Sequence, residues 1–99
     1  MERYNLRHID ELSRVVVHSD IRKKLRLETG DEVSLTPIGT IVVLQRAEGE
    51  PGAGCYVSKV SELGAIEIPT ELKQKMEWKT ADGLATYLTD NLVIYKLAS

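Results

Sequence analysis

Apolar and polar positions along the chain run through one pattern twice. Sliding residues 9–47 onto 60–98, an offset of 51 without gaps, sets Val15 on Ile66, Val17 on Ile68, Ile21 on Leu72 and Leu25 on Met76. The same register sets Leu27 on Trp78, Val33 on Leu84, Ile41 on Leu92 and Val43 on Ile94. Seven of the 39 positions are identical, Glu11/Glu62, Leu12/Leu63 and Asp31/Asp82 among them, and the turns stay in register, so the pattern points to an internal duplication. The Gly- and Pro-containing stretch 48–54 separates repeat one, 1–47, from repeat two, 55–99, and is the predicted linker of a single domain.

Each repeat predicts the same elements. Strands are expected over 4–9 and 55–60, followed by short loops over 10–13 and 61–64. A second pair of strands, 14–17 and 65–68, is rich in β-branched residues. A short helix follows in each repeat, with Ser19 and Thr70 as expected N-caps and Asp20 and Glu71 in the first turn, where negative charge meets the helix dipole. Gly30 is expected to end the first helix with a positive φ. Hairpins close the repeats, turning at Ile38-Gly39-Thr40 and Thr89-Asp90-Asn91. The predicted class is mainly β with two short helices, a double β-β-α-β-β repeat. A unit of about 45 residues buries too little apolar surface to stand alone. Either the two repeats share one barrel-like core, or each pairs with a repeat of a second chain.

The 99 residues hold 42% hydrophobic and 28% charged positions, an ordinary globular mix without the long apolar run of a membrane span. The first residues carry no signal-peptide pattern, and one cysteine, Cys55, forms no internal disulfide, so a cytoplasmic location is expected. Cys55 reads as an inert strand residue and Trp78 as a core or interface residue. The net charge of −2 argues against nucleic-acid binding through bulk charge, but Arg22, Lys23, Lys24 and Arg26 lie together. No nucleophile–base pair, phosphate loop or zinc motif is present, so neither enzyme activity nor a cofactor is expected. His8, Asp10 and His18 lack the further ligands a metal site needs. Asp10 is expected to accept backbone N–H bonds or to orient Arg14.

The run Arg7-His-Ile-Asp-Glu-Leu-Ser-Arg-Val-Val-Val-His-Ser-Asp-Ile-Arg-Lys-Lys-Leu25, continuing to Thr29-Gly-Asp-Glu-Val33, resembles the AbrB/SpoVT/MazE swapped-hairpin DNA-binding family. The resemblance covers residues 5–46 and, more weakly, 56–97. It implies an interleaved swapped-hairpin barrel and a transcriptional regulator that binds duplex DNA as a homodimer or higher homo-oligomer. Carried over residue by residue, the DNA-facing side chains are Arg7, Arg14, Arg22 and Lys23. Guanidinium forks suit phosphates and guanine edges, and Lys23 serves as a point charge on the backbone. Ser13 and His18 stand where the family prefers Gly and Pro. Repeat two keeps both, as Gly64 and Pro69, but places Ser58, Ala65 and Gln74 opposite Arg7, Arg14 and Lys23, so it is expected to be mainly structural. The alternative is an antitoxin-like or assembly module acting through protein contacts. A toxin partner ranks lower, since only Ala98 and Ser99 follow the last predicted strand where such family members carry a wrapping tail.

Overall fold

Val33, Leu35, Val42 and Leu44 alternate with more exposed neighbours, as strands with one buried face require. In the computed structural model, which describes residues 1–50 and 52–98, these strands are interior strands of an antiparallel sheet. Pro51, within the predicted linker, and Ser99 lie outside the described residues. The element order is β1 (Glu2–His8), β2 (Arg14–Val16), α1 (Ser19–Leu25), β3 (Glu32–Ile38), β4 (Ile41–Arg46), β5 (Tyr56–Lys59), β6 (Ala65–Glu67), α2 (Thr70–Met76), β7 (Gly83–Thr89) and β8 (Leu92–Leu97). The fold is mainly β with two short helices.

Six strands form one sheet in the order β1-β7-β8-β4-β3-β5, and β2 pairs with β6 as a separate ribbon. Edge strand β1 of the first half pairs with β7 of the second, and β5 of the second pairs with β3 of the first. Val15 lies opposite Ile66 in the ribbon, and Val43 opposite Ile94 at the β4–β8 seam, so residues 51 apart face each other at both places. In an antiparallel ladder, a residue facing its own equivalent marks a local two-fold relation. The loops obey it too. Ile9 N–H donates to Asp82 O at 3.0 Å and Val60 N–H to Asp31 O at 2.9 Å; Ala81 N–H donates to Ile9 O at 2.7 Å and Gly30 N–H to Val60 O at 2.8 Å.

The expected barrel is corrected to an open sheet, with β1 and β5 as its edges and no ladder between them among the described residues. Strands β2 and β6 are three residues each and spend their ladder bonds on one another. They lie beside β1 and β5 respectively. At the β5 side the link is a side chain: Ser58 Oγ donates to Glu67 O at 2.8 Å and accepts from Glu67 N–H at 3.2 Å. One apolar cluster fills the space between sheet, ribbon and helices, drawing Ile9, Val15, Ile21, Leu35, Ile66, Leu72, Trp78 and Tyr95 from both halves.

Two helix-end expectations are also corrected. Helices α1 and α2 start at Ser19 and Thr70, so the N-cap positions fall on His18 and Pro69 and carry no side-chain cap bond. The acidic first-turn residues Asp20 and Glu71 remain to meet the exposed N–H groups. The C-terminal ends lie at Arg26 and Glu77, both left-handed, rather than at Gly30. Leu27 N–H reaches back to Arg22 O at 2.8 Å and Arg26 N–H to Lys23 O at 3.2 Å, the Schellman pattern, and Trp78 and Glu77 repeat it. The left-handed residue costs about 1 kcal/mol, which is offset by turning Leu27 or Trp78 into the core. Gly30 does take φ +90°, one turn later. Cys55 falls just outside β5, with Sγ 3.1 Å from Thr36 Oγ1.

Ile66 is fully buried at the ribbon's centre. Ile66→Ala is expected to cost about 2–5 kcal/mol. Urea unfolding checks this through a lowered midpoint at unchanged slope.

Candidate nucleic-acid interface

The loop before β2 is built by one carboxylate. Asp10 Oδ1 accepts the backbone N–H groups of Leu12 at 2.9 Å and Arg14 at 2.8 Å, and Oδ2 accepts Arg14 Nε–H at 2.9 Å. The bond from the Arg14 backbone, assisted by the Arg14 guanidinium and the Leu12 N–H, holds the Asp10 carboxyl below the usual aspartate range. The loop before β6 repeats the device with a hydroxyl, Ser61 Oγ accepting from Leu63 and Ala65 N–H at 3.3 and 3.2 Å. Both loops end in left-handed residues, Ser13 at φ 62° and Gly64 at φ 75°. Their carbonyls bind across to the opposite half, Ser13 O to Ile68 N–H at 2.7 Å and Gly64 O to Val17 N–H at 2.9 Å.

The four predicted DNA-facing residues divide between the two ends of the ribbon. Arg7 and Arg22 bond to adjacent residues, His18 and Val17, at the junction of β2 and α1. Arg7 Nη2 donates to His18 Nδ1 at 3.2 Å, which leaves His18 Nε2–H to donate to Asn5 O at 2.8 Å. Arg22 Nε donates to Val17 O at 3.0 Å. Lys23 is the next residue on α1 and is exposed. Arg7, Arg22 and Lys23 belong to no ion pair among the described residues. Arg14 lies at the other end, paired with Asp10 and opposite Glu67 in the ladder. There it meets a cation from the second half, since Lys73 Nζ donates to Ser13 Oγ at 2.8 Å.

Two of the remaining cations of the first repeat are held in ion pairs elsewhere. Lys24 Nζ pairs with Glu2 at 2.6 Å and Arg46 with Asp31 at 3.1 Å. Glu48 and Glu50 line a groove with Lys24, Arg26 and Arg46 at the C-terminal end of α1. Arg7 is the most constrained of the four. Its Nε is buried without a hydrogen-bond partner, as is the Tyr95 hydroxyl. Burial pushes the Tyr95 phenol upward, partly opposed by the Arg7 charge. Sequence reasoning missed Ser13, Gly64 and Lys73 as neighbours of these arginines. The available signal was the offset of 51, which makes Ser13 the equivalent of Gly64 and Arg22 that of Lys73.

No protein-family model matches the chain, and no curated protein matches it. The chain is similar to the solution structure of PHS018 from Pyrococcus horikoshii, with a TM-score of 0.54 and 19% identity over 99% of this chain and 89% of that one. At this identity the likeness shows the fold alone.

Because the Asp10 carboxyl is held low, its contribution to stability is present above the ordinary aspartate value of 3.8 and is lost as pH falls through the lower folded value. Thermal melts from neutral pH to about pH 2 are expected to show a steep acid loss in the wild type and a shallower one in Asp10→Asn. Parallel acid limbs for the two proteins would remove Asp10 from the linkage.

Proposed function

We propose that this chain is a regulator of the AbrB/SpoVT/MazE-like type that binds duplex DNA. The observation that carries the reading is the Arg7–Arg22 junction. Two half-buried guanidiniums are each fixed by one hydrogen bond, have no carboxylate within 4.0 Å among the described residues, and stand beside exposed Lys23. Fixing a guanidinium before binding lowers the ordering cost of the contact. It leaves further N–H donors for phosphate oxygens or a guanine edge. Arg14 adds a contact at the far end of the ribbon, oriented by Asp10. The placement of β1 beside β7 and β5 beside β3 supports the swapped-hairpin reading of the fold. The second repeat offers Ser58, Ala65 and Gln74 at the positions of Arg7, Arg14 and Lys23 and keeps a charge only at Lys73, opposite Arg22, so one chain carries about one half of a symmetric face. A homodimer presents the two-fold set that a palindromic site needs.

A second reading, an assembly or antitoxin-like module, is favoured by one observation. Leu12 and Leu63, equivalent residues at the two loop tips, are 63% and 71% exposed. Apolar tips of that kind suit a protein partner.

Fluorescent duplex DNA titrated across a salt series decides between the readings. Binding is expected to fall steeply with salt, with a log–log slope of roughly 0.9 per phosphate contact. Arg22→Ala is expected to weaken it by about 1–3 kcal/mol. Arg14→Ala is expected to weaken DNA binding with little change in melting temperature, its guanidinium being an exposed partner of Asp10. Absence of binding at low salt, together with stable co-purification of a protein partner, would transfer the proposal to the second reading.

A further inference from the structure

Arg22 belongs to the first half of the chain, but the surface it lies on belongs to the second. A Cβ built at Gly64 would fall 2.7 Å from Arg22 Nη1 and 2.8 Å from Nε, and closer still to Cζ. Carbon atoms do not approach nitrogen that closely outside a bond, so the guanidinium occupies the space a side chain at position 64 would need. Val17 closes the arrangement. Its N–H donates to Gly64 O at 2.9 Å, and its carbonyl accepts Arg22 Nε–H at 3.0 Å. The backbone of Gly64 and the side chain of Arg22 are thus tied to one residue, and the guanidinium is held between them.

The equivalent loop shows what a side chain does at this place. Ser13, at φ 62°, carries a Cβ and a hydroxyl where Gly64 carries none. The cation that reaches it from α2 is Lys73, whose Nζ donates to the Ser13 hydroxyl at 2.8 Å. A planar guanidinium can lie flat against backbone that carries no side chain, whereas an ammonium needs only a point acceptor. Gly with Arg and Ser with Lys are therefore two solutions to the same crossing.

We propose that Gly64 is the positioning residue for Arg22: by lacking a side chain it fixes the plane and direction of that guanidinium, so the second repeat sets the geometry of the first repeat's principal contact. The consequence for DNA binding rests on the function proposed above. The consequence for Arg22 itself does not.

The test is a double-mutant cycle on Gly64→Ala and Arg22→Ala, read by two measurements. The first is duplex DNA affinity. Each single substitution is expected to weaken binding about tenfold, and Gly64→Ala is expected to add nothing in the Arg22→Ala background. Equal losses from Gly64→Ala in both backgrounds would make Gly64 merely structural and overturn the inference. The second is the Arg22 Nε–H signal in a ¹H–¹⁵N spectrum, which needs no DNA. It is expected to be protected from exchange in the wild type and in Ser13→Ala, and to move to solvent-like exchange in Gly64→Ala. An unchanged signal in Gly64→Ala would overturn the inference whether or not DNA binds. A wild type that binds no DNA but shows the protected signal and its loss would overturn the proposed function and leave the positioning role standing. Gly64→Asn carries the same Cβ on a residue that tolerates left-handed backbone. It takes the place of Gly64→Ala should that protein fail to fold.

Discussion

The fold depends on two strands of three residues that, among the described residues, pair in a ladder only with each other. Strand β2 cannot join the sheet formed by its own half, nor can β6. Paired, they place Val15 against Ile66, and each delivers its loop to the opposite half through Gly64 O and Ser13 O. Once that pairing forms, both helices are brought onto one core and the edge strands β1 and β5 are carried across to the other half's hairpin. A half-chain of this composition has an apolar face on every element and nothing of its own to cover it with. Ribbon and sheet together satisfy both halves at once, which is the usual route by which small units reach stability.

The same crossing sorts the charges. Four of the eight positive residues of the first repeat, Arg22, Lys23, Lys24 and Arg26, cluster in sequence, yet the fold assigns the eight different work. Lys24 and Arg46 hold Glu2 and Asp31. Arg14 is bound to Asp10 in the loop that starts β2. Arg7 and Arg22 are the two drawn to one junction without a carboxylate, beside His18 and Val17. A chain with a net charge of −2 thereby offers a local cationic end. It is this arrangement, rather than the overall balance, that supports an anionic partner. His18 is part of that arrangement: its acceptor nitrogen occupies an Arg7 donor that would otherwise be free.

Several local features were readable before any coordinates. Asp10, at the start of a loop bounded by apolar runs, takes the backbone bonds its type favours, and Ser61 takes the same ones at the same offset. Gly39 and Asp90 turn the hairpins with positive φ, where turn chemistry puts such residues. Trp78 goes to the core with Leu27. The helix ends were not readable in the same way. Ser19 and Thr70 have the chemistry of caps but sit one place inside the helix, and Arg26 and Glu77 adopt a conformation that their side chains disfavour. At Arg26 and Glu77 the buried neighbour decides, because bringing Leu27 or Trp78 inside outweighs the local cost.

Sequence by itself determined the elements and their repetition, because periodicity, turn residues and a gapless offset of 51 are local properties that survive in one dimension. Tertiary structure alone decided which element meets which. The ladder between β2 and β6, the open edges at β1 and β5, and the seat of Arg22 on Gly64 all join residues from opposite halves. No spacing along the chain encodes such a contact, because its energy depends on a surface that exists only after the other half has folded against it.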